Sequence, residues 1–91
     1  MAVQDSYPPD VAVCYGCGRL NHDGLHIRTF WDGAVGTATF QPQPFHLAIT
    51  GVVYGGLLAS LIDCHAVGTA AAARYAADGR EVGSDPVLRY V

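Results

Sequence analysis

The stretch from Gly55 to Ala77, GGLLASLIDCHAVGTAAAARYAA, decides how the rest of the chain is arranged. Alanine and leucine dominate it and no proline interrupts it, which predicts a helix of about six turns. Asp78-Gly79 supplies the stop, because glycine enters the left-handed conformation that closes a helix at no steric cost. The helix is apolar almost all round, so every face needs apolar neighbours. Asp63 and His65 near its middle would each cost several kcal/mol in hydrocarbon, so the stretch reads as a buried helix and not as a membrane span.

Upstream of the helix, Leu25-His-Ile-Arg-Thr-Phe-Trp31 alternates with period two and predicts a strand. Asp32-Gly33 is a hairpin signal, and Ala34 to Phe40 supplies a second, antiparallel strand with Val35, Thr37 and Thr39 as β-formers. Gln41-Pro-Gln-Pro44 ends the hairpin, and Phe45 to Val53 connects it to the helix through a turn at Gly51. Downstream, Val87 to Val91 begins another strand. Residues 1–13, polar and proline-bearing, read as an N-terminal arm, and residues 14–91 as the domain. The expected class is α+β.

Composition narrows the function. The chain has 91 residues, is 51% hydrophobic and 14% charged, and carries a net charge of −3. With no lysine and five arginines it has no basic field for a nucleic acid. A domain this small that carries so much apolar side chain is expected to bury some of it between subunits. The N-terminus lacks the basic and apolar regions of a leader peptide, and Cys14, Cys17 and Cys64 cannot all pair with one another. A cytoplasmic protein with free thiols is the expectation.

Two motifs carry a resemblance. Tyr54-Gly-Gly-Leu-Leu-Ala-Ser-Leu-Ile-Asp63 resembles the His-Gly-Gly helix start, with an acid nine residues on, of hotdog-fold acyl-CoA thioesterases of the phenylacetate-pathway and 4-hydroxybenzoyl-CoA type. Cys14-Tyr-Gly-Cys-Gly, followed by Asn21 and Gly24-Leu25, resembles the Cys-x-Gly-Cys-Gly lead-in of many members. The resemblance spans roughly Cys14 to Val91. It implies a long central helix wrapped by an antiparallel sheet, of which this chain holds the first part, in a homodimer or homotetramer that hydrolyses an acyl-CoA with no cofactor and no metal. It also implies Gly55 as the amide that polarises the thioester carbonyl, and Asp63 as the general base or nucleophile. Tyr54, Gly56 and His46 are then the expected substrate contacts. The chain departs from the pattern at Tyr54, where the family often has histidine. A serine or threonine that positions water in some members would lie beyond Val91.

Geometry constrains that reading. Asp63 is eight residues beyond Gly55, about 12 Å along a helix axis, so one thioester cannot touch both in one chain. An antiparallel partner helix would set Gly55 of one subunit against Asp63 of the other. A carboxylate on an apolar helix is expected to be desolvated, which suits it to accept a proton. His65 lies on another face of the helix and reads as a satisfied core or interface histidine, and Cys64 as a small buried hydrophobe. Three alternatives stand beside the hydrolase. One is a non-catalytic acyl-thioester binding module or an inactive fragment of a thioesterase, and another a hotdog dehydratase, for which no Asp and His pair shares a face. The third is a zinc site of Cys14, Cys17, His22 and His26, whose spacing is poor.

Overall fold

The computed structural model describes residues 1–89. In chain order it holds a short 3-10 helix at Val3–Ser6, strands β1 (Phe30–Trp31) and β2 (Gly36–Thr37), and helix α1 (Gly55–Ala77). The architecture is α+β, with one long helix packed against a two-stranded antiparallel sheet.

Helix α1 spans the residues that its composition predicts. Its last turn closes with the amides of Asp78 and Gly79 bonded back to the Arg74 and Ala76 carbonyls, and Gly79 takes the φ of 69° that this ending requires. The hairpin also forms. Gly33 turns the chain at φ 102°, while Asp32 Oδ1 accepts from the amides of Ala34 and Val35, so that Phe30 faces Thr37 and Trp31 faces Gly36.

The paired strands are far shorter than the β-patterned sequence, because the residues before them spend their backbone groups elsewhere. The amides of Leu25 and Ile27 donate to the carbonyls of Tyr15 and Gly16, and the Thr29 carbonyl accepts from Val3. His26, at φ 55°, breaks the extended run between them. Burial still alternates, with Ile27 and Thr29 turned inward and His26, Arg28 and Phe30 outward. The connection before the helix turns at Gly51 (φ 80°), as expected, and an isolated bridge ties Leu47 to Val53. Residues 87–89 form no strand, and the remainder of the strand expected over Val87 to Val91 lies outside the described residues.

The N-terminal segment is a correction to the expected arm. Ala2, Val3, Gln4 and Ala12 are buried. The Gln4 side chain accepts from the Thr29 amide at 2.7 Å and donates to Thr29 Oγ1 at 3.0 Å. It stands against Gly68 of α1, where no larger residue would fit. The polar sequence of this segment conceals a fully satisfied buried amide, which costs little to bury once both ends are bonded.

The core is one-sided. Leu57, Gly68, Ala71, Ala72 and Tyr75 are the buried residues of α1, so the small residues of its C-terminal half meet Gln4, Thr29 and β2. Leu58, Ile62 and Val67 are exposed. The hairpin and the N-terminal segment thus cover one side of the helix only, as expected of an all-round apolar helix with so few neighbouring elements. By length and composition alone α1 is also long and apolar enough to cross a membrane.

Candidate functional site

The expected substrate contacts and the expected catalytic carboxylate lie in two different hollows. Tyr54, Gly56 and His46 come together in one of about 120 Å³ at the start of α1, with Tyr15, Leu25 and Ser60 on its walls. The backbone bonds that open the helix run from Leu57 and Leu58 to the Tyr54 carbonyl. They leave the amides of Gly55 and Gly56 without an acceptor among the described residues, at the positive end of the helix dipole. Nothing stands within 4 Å of where a side chain on Gly55 would begin, whereas the Tyr54 ring folds directly over Gly56. Gly55 is therefore the open donor of the pair, and Tyr54 screens the other.

His46 is held by the chain around it. Its Nδ1 accepts from the Gln43 amide at 2.9 Å, its carbonyl accepts from the Tyr54 amide at 3.1 Å, and its ring meets Phe45 edge-on at 4.6 Å. Those contacts couple the loop to the helix start and leave Nε2 for a ligand.

Asp63 lies elsewhere. It lines a separate cavity of about 190 Å³ together with Tyr7, Cys14, Cys17 and Cys64. The separation agrees with the axial distance between the two ends of the motif. Its surroundings do not agree with expectation, since Asp63 is exposed within the single chain and not desolvated. The reason is the one-sided core, which buries the Leu57 and Ala72 faces of α1 and leaves the Asp63 face uncovered. His65 falls as expected: its Nδ1 meets Thr29 Oγ1 at 3.0 Å, which completes the Gln4 and Thr29 network and makes it a structural residue.

No protein family, characterised protein or solved structure matches this chain.

Cys64 corrects the reading of a small buried hydrophobe. Its Sγ, Cys14 Sγ and Cys17 Sγ all lie within 4.8 Å of one another, and no disulfide joins them. Two elements meet here: the turn carrying Cys14 and Cys17, and the third turn of α1. Gly16 makes the approach possible, because a side chain there would overlap Cys64 Sγ. Gly18 donates to the Cys14 carbonyl at 2.8 Å, and a side chain on it would strike the backbone of Ala12 and Cys14. His22 and His26 do not join the group. Both are exposed, and His26 Nε2 bonds the Asn21 carbonyl at 2.6 Å.

The three thiols are electrostatically unlike. Burial opposes ionisation of Cys14, but hydrogen bonds from the Cys17 and Gly16 amides and from the other two thiols outweigh it and bring its pKa down. Burial pushes Cys17 up, and the neighbouring Cys64 and Cys14 add to the shift. Cys64 is raised as well, by burial and then by the charge of Cys14. Burial also raises the Tyr7 phenol to about 12, with Cys17, Cys64 and Cys14 contributing. The Tyr7 hydroxyl is buried without a hydrogen-bond partner among the described residues. Sequence reasoning found Cys14 and Cys17 by their spacing but missed Cys64 and Tyr7, whose only signal was residue type.

Proposed function

We propose that this chain is a hotdog-fold acyl-CoA thioesterase, cytoplasmic and assembled as a homodimer or homotetramer, that hydrolyses an acyl-CoA to a free acid and CoA. Gly55 donates its amide to the thioester carbonyl, and Asp63 of an antiparallel partner helix serves as general base or nucleophile. Tyr54, Gly56 and His46 contact the substrate.

The observation that carries the reading is the helix itself. One element bears an open glycine amide at its start and a carboxylate eight residues on, with Leu58 and Ile62 exposed between them. A face of this kind gains about 25 cal/mol for each Å² of apolar surface it covers. Pairing it with a second copy related by a two-fold axis would desolvate Asp63 and bring it opposite a Gly55 amide. The carbonyl would then be polarised where the carboxylate acts. Removing one such donor costs about 3 kcal/mol of transition-state stabilisation in the hydrolases where it has been measured.

A second reading keeps the binding and drops the catalysis. It is favoured by the exposure of Asp63 in the single chain and by Tyr54, which stands where the family often has histidine. One assay separates the two. Purified protein is given a panel of aryl and medium-chain acyl-CoAs, and release of free CoA is followed for the wild type and for Asp63→Ala. A thioesterase releases thiol, and the variant loses the release while keeping its fold by circular dichroism. Binding without turnover leaves the acyl-thioester module, and turnover that survives Asp63→Ala removes Asp63 from the chemistry.

A further inference from the structure

The thioester reading makes no use of the three converging thiols or of the unpartnered Tyr7 hydroxyl. We propose that Cys14, Cys17 and Cys64 form a three-thiolate site for one zinc ion, with a fourth, exchangeable position that opens into the cavity beside Tyr7. The inference is independent of the thioester reading and is tested by metal binding alone.

Ligand type and geometry both favour zinc. Thiolates are soft donors that select a d10 cation, and carboxylate-preferring ions such as magnesium or calcium have no place among three sulfurs. A tetrahedral ion with Zn–S bonds of about 2.3 Å sets its sulfurs about 3.8 Å apart. The three Sγ atoms already lie within 4.8 Å of one another, so a closure of about 1 Å completes three corners of the tetrahedron.

The turn is built like a metal-binding knuckle. Cys14 and Cys17 have two residues between them, and the amides of Gly16 and Cys17 hydrogen-bond the Cys14 thiol. Amides in that position orient a thiolate and offset its charge, as outer-shell partners do at metal sites. A side chain on Gly16 would overlap Cys64 Sγ, and one on Gly18 would strike the backbone of the turn. The third ligand comes from the rigid helix α1, so an ion would tie the N-terminal turn to the helix.

The fourth corner faces the cavity that all three cysteines line. A buried hydroxyl without a partner is destabilising, and a zinc-bound water would give the Tyr7 hydroxyl one. Arg89, which is paired with Asp10, and the Asp63 carboxylate both border the same cavity. Three protein ligands with an open position is the arrangement of a zinc ion that receives an exchangeable ligand, whereas a purely structural site closes all four.

The test uses the fully reduced, full-length chain with zinc, and with cobalt as a spectroscopic probe. One equivalent is expected to bind, with cobalt giving the intense ligand-field bands of a tetrahedral site and the ultraviolet charge-transfer bands of thiolate. Cys64→Ser is expected to weaken zinc binding about 100-fold or more, while the double variant His22→Ala, His26→Ala binds as the wild type does. Alkylation of the wild type, read by peptide mass, covers the case in which Cys64→Ser does not fold. Zinc should shield Cys14, Cys17 and Cys64 together, and a chelator should expose all three. Failure of the reduced wild type to bind overturns the proposal. So does shielding of Cys14 and Cys17 alone, or loss of binding in the histidine variant, either of which returns the ion to the turn.

Discussion

Thr29 puts a polar side chain into the most buried part of the molecule, and its own polar groups are all bonded. Its Oγ1 meets both Gln4 Nε2 and His65 Nδ1, its amide donates to Gln4, and its carbonyl accepts from Val3. The alternation of Leu25 to Trp31 fixed that Thr29 shares a face with Leu25 and Ile27. It did not reveal that this face is buried against a glutamine and a histidine, because those partners lie 25 and 36 residues away. A neighbouring pair links the same N-terminal segment to the hairpin. Arg28 Nη2 bonds Asp5 Oδ2 at 2.6 Å, with both side chains partly exposed. Burial alone would raise the Asp5 carboxyl, but the Arg28 guanidinium and the Ala2 amide outweigh it and hold the pKa below 3.8. A folded value below the unfolded one means the pair stabilises fully above 3.8, and that stability is lost as pH falls through the lower folded value. Urea midpoints measured down the acid range should therefore show the wild type losing more of its advantage over Asp5→Asn below 3.8 than near neutrality. A difference that does not change with pH would assign Asp5 a purely steric role.

At the scale of the element, α1 was legible almost to the residue and the strands were not. Helical bonds are local, so alanine content, the absence of proline and the Gly79 stop were enough. Strand pairing depends on distant partners, and here the amides of Leu25 and Ile27 were taken by the cysteine-bearing turn, which left a hairpin of two residue pairs. Gly68 sets the opposing effects against each other. Alanine in place of glycine inside a helix stabilises it by about 1 kcal/mol. At Gly68, however, the added carbon would lie 2.7 Å from Gln4 Nε2 and 3.0 Å from Thr29 Oγ1, both held in the buried network. Overpacking of that kind costs about 1–3 kcal/mol, so Gly68→Ala should be destabilising by up to about 2 kcal/mol in denaturant unfolding. A stabilised variant would mean that the N-terminal segment yields easily and is not a fixed part of the core.

The whole molecule is more extended than its mass requires. It exposes 5839 Å² for 9.6 kDa, where a compact monomer of that mass exposes about 5100 Å². Its radius of gyration is 13.9 Å and its extents are 47 × 26 × 20 Å, against a radius of about 12 Å for a compact domain of this length. The excess is apolar and includes Leu58, Ile62 and Val67 on one helix. If that face is a subunit interface, sedimentation of the wild type should give a dimer or larger species without detergent, and Ile62→Glu should shift it towards monomer. Recovery of the wild type only with lipid vesicles or detergent would instead make α1 a membrane-associated helix. The sequence by itself determined the α+β class, the helix and its ends, the hairpin turn and the distance between Gly55 and Asp63, because each depends on residues close together in the chain. Only the tertiary structure decided that Ala2, Val3, Gln4 and Ala12 of the N-terminal segment join the core, that Asp63 is exposed, and that Cys64 meets Cys14 and Cys17. Those outcomes depend on which distant surfaces pack together, and no local pattern encodes that.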